Sequence, residues 1–249
     1  MVFSSLTKKG KVEELIKNSL LDFKELEKQH IFFEDIYAYL LNKNEFLKRL
    51  ENNGIKHARY LTKGRRGLLF TGIYRNKKIA IKTKNPNSTA VGRIESEAKW
   101  LKKLNKYKIG PKIIFIRDCY LAYEYLDGNF VLDYFKKSSA NSIKKTIKNI
   151  FSQMFVLDRL KIEKKEMHRP LKHIIIDKNK PVLIDFERAH YSHKPKNVTQ
   201  FCQFLTSQKT AMLLRDKNIT IDRSKMLNLA KIYKSGQNHR NFRKIVDLI

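Results

Sequence analysis

The chain has 249 residues, of which 42% are hydrophobic and 11% aromatic, which excludes a disordered protein and suffices for one large or two small domains. Lys and Arg number 53 against 24 Asp and Glu, a formal net charge of +29 that favours polyanionic partners such as nucleic acid or nucleotides. No apolar run approaches the roughly 18 residues of a membrane-spanning helix, and the sequence from Met1 shows no secretory signal. Cys119 and Cys202 match no metal-binding spacing. We therefore expect a cytoplasmic protein with no membrane partner.

The first part of the chain predicts helices followed by strands. Apolar residues recur at helical spacing over 9–53, and Gly54 marks the end of that segment. Two strands, Leu68–Tyr74 and Lys78–Thr83, then flank a turn at 75–77. The first domain thus follows a helical N-terminal extension.

Further strands complete this domain before a turn interrupts the chain. A helix is predicted over 94–104, and two more strands over Lys112–Ile116 and Cys119–Tyr125. The turn-forming run Asp127-Gly128-Asn129 marks a boundary. The predicted divisions are 1–56 for the extension, 57–126 for the first domain and 127–249 for the second.

The second domain is predicted to be mainly helical around one hairpin. Residues 130–162 have mostly helical spacing, and the pattern is helical again from about residue 197. Between them, the strands Ile174–Ile176 and Pro181–Ile184 flank a polar turn. The fold class expected for the whole chain is therefore α+β, with strands first and helices afterwards.

Several of these segments carry the residue types that phosphoryl transfer requires. Asp185 directly follows the strand Pro181–Ile184, and a carboxylate at a strand end can hold Mg²⁺, which prefers oxygen ligands. Lys82 ends another strand on the same face as Ala80 and can bind phosphates. The run Gly64-Arg65-Arg66-Gly67 precedes the first strand, and glycine lets backbone approach phosphates closely. These segments predict a nucleotide-binding site.

An acid on the following helix is a candidate partner for the lysine. Glu97 can pair with Lys82 and fix its position. We prefer Glu97 to Glu95 because Leu101 and Leu104, on the same side of the helix as Glu97, mark its buried face.

Taken together, these motifs resemble those of protein kinases. Ile79-Ala80-Ile81-Lys82 is similar to the V-A-I-K strand, Asp185-Phe186-Glu187 is similar to D-F-G, and 121–128 is similar to the kinase hinge. The chain looks most like the compact, atypical protein-kinase-like families of archaea and bacteria that are related to the RIO and Bud kinases. The metal-binding strand end also resembles that of lipopolysaccharide-core sugar kinases. The resemblance covers about residues 57–200.

The resemblance implies a two-lobed fold with an antiparallel-sheet N-lobe and a mainly helical C-lobe. It also implies ATP and Mg²⁺, or Mn²⁺, as cofactors. Lys82 would bind the α- and β-phosphates and would be oriented by Glu97. The backbone around Glu124 and Tyr125 would bind adenine, and Asp185 would hold the metal.

The catalytic loop departs from the kinase pattern, and three alignments compete. By its letters, His168-Arg169-Pro170-Leu171-Lys172 resembles H-R-D-L-K with Pro170 at the position of the catalytic Asp, which implies an inactive kinase. By architecture, 162–167 fits the entry to the loop and places Glu166 at that position. A third alignment places His168 there. We favour Glu166 because a carboxylate can orient a hydroxyl group and accept its proton.

The favoured alignment places His173 at the position of the metal-binding Asn. It needs a two-residue insertion, which 169–170 can form. Twelve residues separate His173 from Asp185, enough for a hairpin that brings both to one metal. Imidazole suits Mn²⁺ or Zn²⁺ better than Mg²⁺. His173 is thus a poor ligand, a ligand in a site with a shifted metal preference, a contact for phosphate, or a structural histidine.

The segment after the metal-binding motif is atypical as well. Glu187 replaces the glycine of D-F-G, and 190–200 is short and basic without an A-P-E motif. We expect an ATP-dependent phosphotransferase, in the first instance a serine/threonine protein kinase. The alternatives are a small-molecule or sugar kinase, and a kinase-like module that binds RNA or ribonucleoprotein through its charge.

Overall fold

The computed structural model of the chain describes residues 46–64, 67–85, 93–117 and 120–249. These residues form two compact units with α+β structure. The first contains the described residues up to Ile94 together with Ile114–Tyr125, and the second contains Glu95–Ile113 and Leu126–Ile249. The chain passes between the units three times, and the third passage, at 125/126, lies beside the predicted division at 126/127. The prediction differs in one respect, since Glu95–Ile113 belongs to the second unit.

The first unit is built on a five-stranded sheet with the strand order β1-β2-β3-β5-β4. Its strands are β1 (Ile55–Lys63), β2 (Gly67–Tyr74), β3 (Lys77–Lys84), β4 (Ile113–Arg117) and β5 (Tyr120–Glu124). The β1–β2, β2–β3 and β3–β5 pairs are antiparallel. Strands β2 to β5 confirm the prediction, whereas β1 was not predicted. It is an edge strand with many polar residues, so it lacks the clear apolar–polar alternation of a strand with one buried face.

One face of this sheet is the core of the first unit. Ile79 and Ile81 of β3 are fully buried in a cluster with Phe70 and Tyr120. Because side chains alternate along a strand, Lys82 lies on the opposite face, together with Ala80, as predicted.

Helical structure precedes this sheet and ends where the sequence indicates. Residues 46–52 are helical, and Gly54, with a φ of 76°, donates its N–H to the carbonyl of Glu51 at 2.8 Å. Leu50 of this helix is fully buried in the sheet core. The predicted helical extension before residue 46 lies outside the described residues.

The second unit combines seven helices of the described chain with two small sheets. The helices are α1 (Arg93–Leu104), α2 (Val131–Lys137), α3 (Ala140–Arg159), α4 (Asn197–Leu205), α5 (Gln208–Arg215), α6 (Arg223–Ser235) and α7 (His239–Val246). The strands are β6 (Asn129–Phe130), β7 (Ile162–Glu163), β8 (Ile174–Asp177), β9 (Lys180–Leu183) and β10 (His190–Tyr191). The predicted helices and the β8–β9 hairpin are confirmed. Strands β6, β7 and β10 were not predicted because two residues are too few to show alternation.

Helix α3 supports the hairpin from within the second unit. Phe151 and Met154 of α3 are fully buried, and Phe151 packs edge-on against Phe201 of α4 at 4.9 Å between ring centroids. Gln153 Nε2 donates to the carbonyl of Pro181 in β9 at 2.7 Å. These contacts fix the strand that leads into Asp185. Within the described ranges, no helix is long and apolar enough to cross a membrane.

Candidate functional site

The open end of the β8–β9 hairpin presents two polar side chains. Ile174 pairs with Leu183, and beyond this pair the N–H of Ile184 donates to the carbonyl of His173 at 3.0 Å. His173 and Asp185 therefore leave the hairpin at the same end, with 4.0 Å between His173 Nδ1 and Asp185 Oδ2. The hairpin brings the two side chains together, as their spacing predicted. Their role as metal ligands stays a prediction.

Glu166 lies on the other side of the same histidine. Its Oε2 is 3.1 Å from His173 Nε2, and its Oε1 accepts a hydrogen bond from Arg188 Nη1. Both carboxylate oxygens are thus held, which fixes the orientation of the Glu166 side chain. We call the row Arg188–Glu166–His173–Asp185 the carboxylate row. Arg188 was missed in the sequence, where nothing links it to a loop 22 residues earlier.

The three alignments of the loop name residues that differ in their surroundings. Glu166 reaches the histidine beside Asp185, whereas His168 is exposed and Pro170 is buried and cannot ionise. The side chains of Glu166 and Asp185 are 40% and 36% exposed, and that of His173 is 18% exposed. The role of Glu166 in the catalytic loop stays a prediction.

The backbone at this site adopts conformations that are uncommon for residues with a Cβ. Lys165, Glu166 and Asp185 have φ angles of 67°, 60° and 64°. Such conformations persist only where surrounding contacts fix them, and they are concentrated at functional sites. Two of the three residues belong to the carboxylate row.

A buried carboxylate, Asp158, lies behind the loop that carries Glu166. Asp158 Oδ1 accepts from the backbone N–H and the Nδ2 of Asn197 at 3.1 and 2.8 Å. Its Oδ2 accepts from the N–H of Val198 at 3.3 Å and from the hydroxyl of Tyr233 at 3.0 Å. Burial raises the pKa of Asp158 to about 6, although the hydrogen bonds oppose this shift. The carboxylate therefore connects α3, α4 and α6.

Asn197 links Asp158 to the loop that carries Glu166 by hydrogen bonds. Its Nδ2 also donates to the carbonyl of Ile162 at 2.7 Å, and its Oδ1 accepts from the N–H of Lys164 at 2.9 Å. The N–H of Met167 donates to Gln200 Oε1 at 2.9 Å. The backbone on both sides of Glu166 is therefore held by α4.

In the first unit, the predicted phosphate-binding glycines lie at a hairpin end. The N–H of Gly64 donates to the carbonyl of Gly67 at 2.8 Å across the β1–β2 turn, and Arg65 and Arg66 lie outside the described residues. A Cβ on Gly67 would lie 3.0 Å from the carbonyl oxygen of Thr83 and 3.3 Å from Lys82 Cε. The structure thus brings Gly67 and the partly buried Lys82 together.

The predicted adenine-binding segment ends strand β5. Glu124 is exposed and pairs in register with Ile79 of β3. Lys78 Nζ lies 3.7 Å from the ring centroid of Tyr125. The chain passes from the first unit to the second directly after Tyr125.

Glu97 lies on the buried side of α1, as predicted. Glu97 is 2% exposed and Leu101 and Leu104 are fully buried, whereas Glu95 is exposed. Ser96 Oγ donates to the carbonyl of Glu187 at 3.1 Å, so α1 contacts the segment after Asp185. The pairing of Glu97 with Lys82 stays a prediction.

Asp185 and His173 are the predicted metal ligands of the second unit. Across the described ranges, no group of three or more His, Cys, Asp or Glu side chains is arranged to hold a metal by itself. Mg²⁺ commonly takes one or two carboxylates and completes its shell with phosphate oxygens and water. The partly exposed oxygens of Asp185 fit that role. His173 fits it less well, because both ring nitrogens face carboxylates.

Comparisons with known proteins leave the site to be judged by its geometry. Neither a comparison with protein-family models nor a search of curated proteins finds a match for this chain. The resemblance to kinases therefore stays a prediction from the sequence motifs, and function must be argued from the site.

Proposed function

We propose that the protein is an ATP-dependent phosphotransferase with a kinase-like fold, acting on a hydroxyl group and in the first instance on serine or threonine. The observation that carries the proposal is the carboxylate row, in which Glu166 and Asp185 flank His173. Phosphoryl transfer uses a side chain that holds the metal and another that orients the attacking group, and the two carboxylates are candidates for these roles.

The nucleotide would be held mainly by groups that position its phosphates. Lys82 would bind the α- and β-phosphates, and Glu97 would hold its ammonium group. The backbone of Gly64 and Gly67 would cover the phosphates, and the backbone around 124–125 would bind adenine. Asp185 would hold Mg²⁺, which neutralises charge on the transferred phosphoryl group.

Glu166 would orient the acceptor. One of its oxygens is held by Arg188 and the other lies beside His173, so the carboxylate has a defined direction. It would accept a hydrogen bond from the acceptor hydroxyl and take its proton as the oxygen bonds to the γ-phosphorus, while the bond to the β–γ bridging oxygen breaks and ADP leaves. Phosphoryl transfer demands little of a base, so a correctly placed glutamate suffices.

Two substitutions with matched controls test the proposal. We expect Lys82→Ala and Asp185→Asn to lower ATP turnover by about 100-fold or more, because each removes a charge that acts on the phosphates. Lys77→Ala, exposed at the start of β3, and Asp177→Asn, at the far end of the same hairpin, should retain turnover. Turnover is measured as ADP release with Mg²⁺ and Mn²⁺. Wild-type rates in both site variants would reject the proposal.

A small-molecule or sugar acceptor is the second candidate. The observation that favours it is the brevity of the segment between Asp185 and α4, which begins at Asn197. Within this segment, His190 and Tyr191 of β10 are paired with β7, so little chain remains to form a platform for a peptide. Incubation with γ-labelled ATP separates the candidates. Label transfer to sugars or metabolites would favour a small acceptor, and transfer to serine or threonine in proteins would favour a protein kinase.

A further inference from the structure

Lys164 is a lysine whose side chain lies inside the second unit. It directly follows β7 and is 2% exposed, although lysine is rarely buried unless its ammonium group is bonded. Its Nζ donates a 3.0 Å hydrogen bond to the backbone carbonyl of Asp185. The same atom lies 5.0 Å from the centroid of the Phe186 ring, within range of a cation–π contact. The ammonium group therefore meets the chain at the end of the strand that carries the site carboxylate.

The backbone of Lys164 is itself firmly held. Its N–H donates to Asn197 Oδ1 at 2.9 Å, and Asn197 is bonded to the buried Asp158. The preceding residue, Glu163, pairs with His190 in the β7–β10 ribbon. The lysine side chain thus starts from a fixed point, so its ammonium group can hold another segment in place.

The backbone conformation of Asp185 requires stabilising contacts. Its φ of 64° is in the left-handed region, which residues with a Cβ occupy only where surrounding contacts fix them. In this conformation its Oδ2 lies 4.0 Å from His173 Nδ1. The bond from Lys164 fixes the peptide group that follows Asp185, and the direction of the carboxylate depends on that peptide.

We infer that Lys164 is a positioning residue for Asp185. Its ammonium group holds the Asp185 carbonyl and the Phe186 ring, and thereby keeps the Asp185 carboxylate beside His173. Lys164 acts through Asp185 and not on the reacting atoms. The kinetic consequences rest on the proposed function, whereas the structural consequence does not.

Three variants separate this role from general effects of losing a lysine. Lys164→Met keeps an unbranched, flexible apolar side chain that is one atom shorter, and it removes both the donor and the charge. Lys164→Gln retains a shorter, neutral donor and should be affected less. Lys180→Met is the matched control, because Lys180 is exposed on β9 and lies five residues before Asp185.

Hydrogen exchange tests the positioning role without reference to activity. We expect the amides of the peptide that covers 184–187 to exchange about 10-fold faster in Lys164→Met, because the segment opens more readily, and at the wild-type rate in Lys180→Met. Fluorescence of Trp100, the single tryptophan, reports whether each variant is folded. If Lys164→Met does not fold, Lys164→Gln is measured instead. Its exchange rate over 184–187 should exceed that of the wild type by less than about 10-fold. Wild-type exchange in the folded variant would overturn the inference.

Metal affinity and kinetics test the functional consequence. Loss of a group that orients a metal ligand commonly costs about 10- to 100-fold in metal affinity or activity. We expect Lys164→Met to weaken Mn²⁺ binding, measured by electron paramagnetic resonance, and to lower kcat, both by about 10-fold or more, with KM for ATP within about 3-fold. Absence of turnover in the wild-type protein would reject the proposed function alone. Wild-type Mn²⁺ affinity and kcat in Lys164→Met would reject the inference.

Discussion

Asp158 is a single carboxylate on which three helices of the second unit depend. Burial raises its pKa from 3.8 to about 6, so the folded protein binds this proton more tightly than the unfolded chain does. The resulting stabilisation is fully present below about pH 3.8 and is lost as the pH rises through about 6. A shift of this size corresponds to roughly 3 kcal/mol in the free energy of unfolding.

We expect Asp158→Asn to remove this pH dependence, because the amide does not titrate. The free energy of unfolding of the wild type minus that of the variant should fall by up to roughly 3 kcal/mol between pH 4 and pH 7. Urea unfolding followed by Trp100 fluorescence measures both proteins. Asp216→Asn, at an exposed aspartate, is the control and should leave the pH profile unchanged. A difference between wild type and Asp158→Asn that is constant with pH would contradict this assignment.

The sequence could identify some site residues and not others for a physical reason. Glu166 and Asp185 could be found because a motif or a strand end marks them. Lys164, Arg188 and Asp158 could not be found, because each acts on a segment that is distant in the sequence. They act through tertiary hydrogen bonds. The sequence alone does not indicate which lysine or aspartate of a highly charged chain is buried.

At the scale of elements, the β6–β8 pair depends on a close approach of two backbones. A Cβ on Gly128 would lie less than 3.0 Å from three heavy atoms of Ile175 and Ile176, two of them in the backbone. Strand β8 cannot move away without disturbing its pairing with β9. The absence of a Cβ at Gly128 therefore allows the chain to pass close to the backbone of β8 just before β6 begins.

We expect Gly128→Ala to destabilise the second unit by about 2 kcal/mol or more, because overpacked sites commonly cost 1–3 kcal/mol and the clash here is with backbone. Gly236→Ala is the matched control, since a Cβ there would meet only the side-chain amides of Asn238 and Asn241, at 3.3 Å or more. Thermal unfolding followed by Trp100 fluorescence compares the two. Equal melting temperatures for Gly128→Ala and Gly236→Ala would show that the strands can separate at no cost.

Most elements could be predicted because they are long enough to show a period. Helix α3 and strands β2 and β3 each span two or more turns or alternations, so their apolar faces are evident in the sequence. Strand β1 is defined by its hydrogen bonds to β2 and not by its side chains. The two-residue strands β7 and β10 are likewise defined only by each other.

At the scale of the whole molecule, the dominant property is the excess of 53 basic over 24 acidic residues. Much of it is solvent-exposed in the second unit, for example in α7, where Arg240, Arg243 and Lys244 are exposed while Phe242 and Ile245 are buried. Exposed like charges repel one another and attract polyanions. The charge thus bears on partners and on solution conditions more than on the fold.

We expect the protein to bind single-stranded RNA with an affinity that depends steeply on salt, because each phosphate neutralised releases counterions. A plot of log K against log salt concentration should have a slope of about −0.7 per phosphate contact. Anisotropy of a labelled oligouridine between 50 and 300 mM KCl, at about 25 °C, measures it. Replacing Arg240, Arg243 and Lys244 by Gln should reduce the magnitude of the slope by about 2 if α7 contributes three of the contacts. Replacing the acidic Asp216 and Asp222 by Asn serves as the control and should not reduce it. An affinity that does not change with salt would show that the charge serves solubility and not a polyanionic partner.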